Sequence, residues 1–314
     1  MLQHVCLFLL GLVILSIAAE WLIRGAVRVA RALGVSPFVV GFTVIGFGTS
    51  APEMVVSVSA ALKGSSDIAL GNVVGSNIAN IGLVLGIAAI VSPLAARMRL
   101  LTVEVPLVIV ASLLLLFLCR DNRLSRGDGI ALLVAFLGLC VYMFRSARQE
   151  SSEIKEEVGK SADGHMRVWV ATILMIVGLA GLIGGAHLMV TSAVQLARDL
   201  GVTEWLIGLT VVAVGTSLPE IAAGVAAAYR GQPDLVLGNI AGSNLFNILL
   251  VLGTTLTIQP IRISDSIVMN EIPVMVMFSL LLLVTVANGM IVHRWEGAIL
   301  IAAYAGFITW QVTK

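Results

Sequence analysis

The sequence predicts an all-α integral membrane protein of ten transmembrane helices, arranged as two five-helix repeats of inverted topology. Three observations carry that prediction. The 314 residues are 59% hydrophobic and only 12% charged, whereas soluble domains carry about 25% charged residues. Ten mainly apolar segments approach or exceed the roughly 20 residues that span a bilayer core of about 30 Å. Residues 41–86 also recur at 208–253 without a gap, with about 25 of the 46 aligned pairs identical, which marks an internal duplication.

The expected spans lie at 4–24, 37–62, 66–92, 103–119, 128–144, 168–197, 204–228, 233–258, 268–288 and 294–312. The first lacks a basic leading region and a small-residue cleavage site, so it reads as a retained span rather than a cleaved signal. Between the fifth and sixth spans runs "RSARQESSEIKEEVGKSADGHMR", residues 145–167, whose mixed charges suit a solvated linker. The chain therefore divides into a first repeat at 1–144, a cytoplasmic linker at 145–167 and a second repeat at 168–314. Five is odd, so the second copy enters the membrane the opposite way up, as in many secondary transporters. With both termini outside, the inner loops hold 12 of the 19 Lys and Arg residues, including Arg24, Arg28, Arg31, Arg97, Arg99 and Arg230. That bias favours this orientation in the plasma membrane, although Arg120, Arg123 and Arg126 cluster on the opposing side.

Composition also narrows the function classes. A net charge of +1 gives no basic excess for nucleic acid, so the expected partners are membrane lipid and inorganic cations, with the chain acting as a monomer. Cys6, Cys119 and Cys140 are far apart in apolar surroundings and read as packing residues. No cofactor is expected. A serine hydrolase needs a base beside its nucleophile, and neither Ser50 nor Ser217 has a histidine or lysine near it in sequence, so the chain is not expected to be an enzyme.

The duplicated block opens on "GFTVIGFGTSAPE" at 41–53, repeated as "GLTVVAVGTSLPE" at 208–220. An ionised side chain at the membrane centre costs between about 2.5 and about 17 kcal/mol, so such groups face a cavity and a partner. No Lys or Arg of the adjoining spans sits at mid-depth to pair with Glu53 or Glu220, and the simplest missing charge is a transported cation. Thr49, Ser50 and Glu53 share a helix face. Pro52 lacks an amide proton and its ring displaces the bond to the carbonyl of Gly48, freeing backbone oxygen. Gly215, Thr216, Ser217, Pro219 and Glu220 repeat the arrangement.

The following span brings Asn72, Ser76 and Asn80 onto one stripe, copied by Asn239, Ser243 and Asn247. Glycines in "GNVVGSN" and "GNIAGSN" permit close helix approach. The donors are all oxygen, without the thiolates or paired imidazoles that softer metals favour. Ca2+ takes six to eight such ligands, and two carboxylates match one divalent ion or several competing monovalent ones. Competition for one site is the physical basis of antiport. A continuous channel fits two opposed broken-helix repeats less well.

"GTSAPE" with "GSNIAN", and "GTSLPE" with "GSNLFN", resemble the paired repeats of the cation/calcium antiporter superfamily, in its sodium/calcium exchanger branch, and the chain looks like a prokaryotic member. The resemblance implies Na+/Ca2+ exchange by alternating access, with the first and sixth spans sliding against the core. It implies that Thr49, Ser50, Thr216 and Ser217 offer hydroxyl and backbone oxygens to the ions, and that Glu53 and Glu220 bridge them. Ser76, Asn80, Ser243 and Asn247 match the family's positions in the helices that follow. Some relatives, potassium-dependent exchangers among them, carry Asp where Asn247 stands, so potassium co-transport is not implied. Proton-coupled antiport of calcium or another divalent cation on the same fold is the alternative.

Plainer roles stand beside these. Buried hydroxyls at a kink back-bond to helix carbonyls, which is the competing role for Thr49, Ser50, Thr216 and Ser217. Asn72, Asn77, Asn239 and Asn244 are expected to bond between helices rather than hold ions. Glu104 and Glu271, near the starts of spans, are expected to anchor at the interface. Glu20 and Arg24 are expected to pair at i, i+4.

Overall fold

Where a long apolar segment lies in lipid, no water is available to its amides, so they bond within the segment as a helix. The computed structural model describes residues 1–158, 166–200 and 213–313, and over these the chain is mostly helical. The helices are α1 (Leu2–Leu33), α2 (Pro37–Leu62), α3 (Ser66–Val91) and α4 (Leu100–Asp121), then α5 (Arg126–Val158) and α6 (Val168–Asp199). A short turn at Ala213–Thr216 leads into α7 (Leu218–Tyr229). There follow α8 (Pro233–Ile258), α9 (Ile267–Ala287) and α10 (Arg294–Thr313).

Among the described residues, eight helices are long and apolar enough to cross a membrane: α1 to α6, α8 and α9. α7 is a shorter apolar helix of 12 residues, because the start of the span expected at 204–228 lies outside the described residues. α10 reaches 20 residues but is not among the eight; it carries Arg294 and Glu296 at one end and Thr309, Gln311 and Thr313 at the other. α5 continues as helix to Val158, into the segment expected to be a linker, and residues 159–165 lie outside the description.

Proline explains several helix starts. Pro37, Pro52, Pro219 and Pro233 each occupy the first or second helical position, where the missing amide proton costs nothing. Within α2 and again before α7, the chain leaves helical geometry at one serine. Ser50 has φ −80° and ψ 0°, and Ser217 has φ −88° and ψ 3°.

The duplication is visible in the elements themselves. Ala51–Leu62 corresponds to Leu218–Tyr229, and Ser66–Ala79 to Pro233–Phe246. Each of the latter helices widens into a π-helical segment, Asn80–Leu85 and Asn247–Leu252. A second pair of π segments begins α4 and α9, at Leu100–Glu104 and Ile267–Glu271. Ser112 Oγ and Ser279 Oγ lie 3.0 Å apart and are separated by 167 residues, the offset of the repeat. A residue bonded to its own copy lies on the axis that relates the copies.

Two short ribbons tie the halves together. β1 (Leu94–Ala95) pairs antiparallel with β4 (Ile291–Val292), and β2 (Arg123–Leu124) with β3 (Ile261–Arg262). Because α4 joins β1 to β2, the ribbons sit at opposite ends of that helix. Beside them, Arg97 pairs with Asp234 on α8, and at the equivalent place the Ser264 amide donates to Asp67 on α3.

α1 and α6 have 32 residues each, about 48 Å of helix, well beyond a core of about 30 Å. They run antiparallel in backbone contact. A Cβ added at Gly25 would sit 2.5 Å from the Ala171 carbonyl oxygen, and one at Gly178 would sit 2.6 Å from the Leu22 nitrogen. Their hydrophobic windows are only 33% and 28% buried, against 94% for α8. α8 is therefore the centre of the core, with α1 and α6 as a glycine-seamed pair that packs on α2 and α7.

Glu104 corrects an expectation. It is fully buried and accepts a 2.8 Å bond from Arg99 Nε, so it belongs to an internal ion pair rather than to an interfacial anchor. Its position near the start of a span reads as interfacial only while the fold is unknown. Glu20 and Arg24 do pair, at 2.7 Å.

Candidate functional site

The break at Ser50 and the proline after it put Glu53 in the first turn of the second half of α2; Ser217 and Pro219 do the same for Glu220 in α7. Both glutamates are 1% exposed. Two like charges in that setting repel strongly unless a cation or protons intervene.

The halves interlock across the centre. The stretch Gly46–Thr49 packs on Pro233–Phe246 of α8, and Ala213–Thr216 packs on Ser66–Ala79 of α3. The Glu53 helix also meets the π segment that begins at Asn247, and the Glu220 helix meets the one that begins at Asn80. Each carboxylate helix thus packs on the π segment of the other half. π segments recur at functional sites because the extra residue per turn redirects side chains and loosens backbone bonding.

The hydrogen bonds divide the polar residues into two sets. Thr49 Oγ1 lies 3.0 Å from the Ile45 carbonyl, 3.3 Å from Asn239 Oδ1 and 3.4 Å from Ser243 Oγ. One hydroxyl proton cannot serve all three, so the threonine back-bonds in part while its oxygen stays beside Ser243. Asn72 Nδ2 donates to the Glu53 carbonyl oxygen at 3.1 Å and to Ser57 Oγ at 2.9 Å, and Asn77 Nδ2 reaches Met275 sulfur at 3.6 Å. Those asparagines hold helices together.

The second set has no partners. Ser50 Oγ, both oxygens of Glu53, both amide atoms of Asn80, Ser217 Oγ, both oxygens of Glu220 and both amide atoms of Asn244 and of Asn247 are buried without a hydrogen bond, as are Asn77 Oδ1 and Asn239 Nδ2. Ser76 and Ser243 are 5% and 0% exposed on the same helices, whereas Thr216 is only half-buried. Buried polar groups are nearly always satisfied, so an orphaned cluster drawn from both halves marks a place built for something else to bind. Among the described residues no group of three or more His, Cys, Asp and Glu side chains comes together. The cluster offers two carboxylates and neutral oxygens, a donor set suited to hard cations.

Thr216 opens on a cavity of about 410 Å³ between α2, α6 and α7, lined by Pro52, Val56, Ala186, His187, Val190 and Pro219. His187 thus borders a space beside the broken helices, not the carboxylate cluster. The sequence did not reveal the π segments at Asn80 and Asn247; their only signal there is that the asparagine recurs at the same offset in both copies.

The family described as sodium/calcium exchanger protein matches the chain over residues 3–145 and 170–313. The chain is 40% identical over 305 residues to a putative antiporter, CaxA, of Alkalimonas amylolytica, with 95% of each sequence covered. It is 31% identical to the sodium/calcium exchanger MaX1 of Methanosarcina acetivorans, with 96% of each covered. A solved structure of the sodium-calcium exchanger NCX_Mj, soaked with Na+ and Ca2+, superposes with a TM-score of 0.85 at 33% identity over 98% of both chains.

Proposed function

This chain belongs to the sodium/calcium exchanger protein family, and from that premise we propose that it is a secondary active antiporter exchanging Na+ for Ca2+ by alternating access. One observation carries the reading: the orphaned, buried donors of Ser50, Glu53, Asn80, Ser217, Glu220 and Asn247 come from both halves and meet at the helix breaks. Thr49, Ser76, Thr216 and Ser243 complete the proposed ligand set. Glu53 and Glu220 supply about two negative charges, which one Ca2+ neutralises or several Na+ ions share. The two cargoes compete for the same oxygens, so each must leave before the other binds.

The architecture proposed for this function is ten spans in two inverted five-helix repeats, 1–144 and 168–314, joined through residues 145–167. The recurrence of elements at a fixed offset and the Ser112–Ser279 contact support it. The protein sits in the plasma membrane as a monomer with both termini outside, following the bias of Lys and Arg. The α1–α6 pair, with little of its surface committed to the core, is the element best suited to move.

The test is calcium-45 uptake into proteoliposomes loaded with Na+, with K+ or with acid under matched voltage. Uptake driven only by an outward Na+ gradient is the expected result. Uptake that follows only the proton gradient would replace it with proton-coupled antiport at the same site.

In the same assay, Asn72→Ala is expected to weaken apparent calcium affinity about three- to tenfold, matching an interhelical bond of roughly 0.6 to 1.4 kcal/mol. The asparagine holds the Glu53 backbone and Ser57 without being a proposed ligand. An unchanged calcium dependence would deny it that positioning role.

A further inference from the structure

A second polar cavity lies away from the carboxylate cluster. It has a volume of about 310 Å³ and is lined by Arg24, Arg28 and Arg31 of α1, Met166 just before α6, and Arg230 and Gln232 in the turn from α7 to α8. Ile23 and Val27 form its apolar wall. Two separate parts of the chain, α1 and the α7–α8 turn, thus bring four guanidinium groups to one hollow.

Only one carboxylate among the described residues is bonded to them. Glu20 accepts from Arg24 Nε at 2.7 Å and from Arg230 Nε at 2.6 Å, and Arg28 Nε donates to the Met166 carbonyl at 2.8 Å. Among the described residues, four arginines against one glutamate leave a local balance of +3. Arg31 makes no hydrogen bond or ion pair among the described residues. A guanidinium has five donors, so even the engaged arginines keep N–H groups to offer.

Exposed tryptophans also flank the hollow. Trp21, next to Glu20 on α1, and Trp169, near Met166 at the start of α6, are 40% and 59% exposed, and exposed tryptophan concentrates at membrane interfaces. In the orientation proposed above, all four arginines face the inner leaflet, where anionic lipids attract basic side chains.

We propose that this cavity is a binding site for a phosphate-bearing anion, held by Arg24, Arg28, Arg31 and Arg230, whose sources are an anionic phospholipid headgroup or free phosphate. Planar guanidinium groups suit the tetrahedral oxygens of such an anion, and the Ile23 and Val27 wall suits the glycerol and upper chain of a lipid. The site joins α1, in the flanking pair, to the α7–α8 turn. Its occupancy is therefore coupled to how that pair sits against the α7–α8 turn. Binding itself does not depend on which cations are exchanged.

The experiment uses the purified full-length chain in detergent. Short-chain phosphatidylglycerol and short-chain phosphatidylcholine are offered separately, and bound lipid is counted by native mass spectrometry, with inorganic phosphate as competitor. Phosphatidylglycerol is expected to be retained about tenfold over phosphatidylcholine. Arg31→Glu, which removes no bond described in the fold, and the double variant R28Q/R31Q are each expected to abolish that tenfold preference, because the loss of roughly two surface charges is worth up to about 30-fold. Arg120→Gln, in a different loop, is expected to leave it unchanged. Displacement by inorganic phosphate identifies the free anion as sufficient, and retention in its presence identifies the lipid. Equal binding of the two lipids, selectivity preserved in both cavity variants, or an equal loss in Arg120→Gln would overturn the assignment.

Discussion

Glu53→Gln and Glu220→Gln are each expected to abolish calcium uptake while leaving a folded protein. Each glutamine keeps the volume and hydrogen-bonding reach of the side chain it replaces, so packing at these 1% exposed positions is preserved. What changes is charge. With one carboxylate gone, a bound divalent ion keeps only half of its neutralisation in a low-dielectric place. Removing one partner of a buried charge pair costs about 3–5 kcal/mol, which is roughly a hundred- to several-thousandfold in affinity. The apparent calcium constant then lies beyond any practical concentration. Calcium-45 uptake measures the loss, and size-exclusion profile with thermal melting separates it from misfolding. The variants are expected to melt no lower than the parent, because neutralising one carboxylate removes its repulsion with the other. If both variants still carried calcium, the shared-site assignment would be wrong.

The second large effect is steric. Gly242→Ala is expected to destabilise the protein by about 1–3 kcal/mol and to cut transport at least about tenfold. The new Cβ would lie 2.3 Å from the Phe42 carbonyl oxygen and 2.9 Å from its Cα. Both obstacles are backbone, so no rotamer change relieves them and α8 must move away from the first half of α2. Ser243 follows Gly242 directly and sits 3.4 Å from Thr49, so that displacement opens the interlock between the halves at the cluster. Gly138→Ala on α5 is the control, since nothing among the described residues lies within 4 Å of its added Cβ. Melting temperature and uptake are expected to fall together in the first variant and to hold in the second. A Gly242→Ala protein that melted and transported like the parent would mean that the close approach is not required.

Much of this arrangement is legible in the sequence, for reasons that can be named. Apolar length and the lack of alternative backbone partners in lipid mark helices at most of the expected places. The helix breaks can be read because proline and a hydroxyl pair recur with one carboxylate in both copies. The spacing of Asn72, Ser76 and Asn80 likewise predicts a stripe on one helix, and in the structure the last of them is buried and unbonded.

Other features depend on contacts between distant residues and leave little local trace. The widening of the helix at Asn80 and Asn247 comes with packing against helices of the other half. Glu104 looks interfacial by position and proves internal because Arg99 reaches it. Hydropathy places the first span at 4–24, yet α1 runs to Leu33, since Arg24, Arg28 and Arg31 halt the hydropathy signal without halting the helix. Arginine is a good helix former, so polarity and helix end are separate events there. Division of labour among the asparagines was partly legible: Asn72 and Asn77 do bond outside their own helix, whereas neither amide atom of Asn244 is bonded.

The bond between Ser112 and Ser279 also bears on how the two copies could drift apart after duplication. On the axis, each serine faces its own descendant, so a change in one is immediately met by the unchanged other and must be tolerated as a mismatched pair. Off the axis no such constraint applies. Arg97 and its counterpart Ser264 have diverged while each still holds an aspartate, Asp234 and Asp67, that has stayed the same. Ancestral symmetry is therefore expected to persist longest along the line through Ser112 and Ser279 and to erode first in the loops, where each copy answers to a different neighbour.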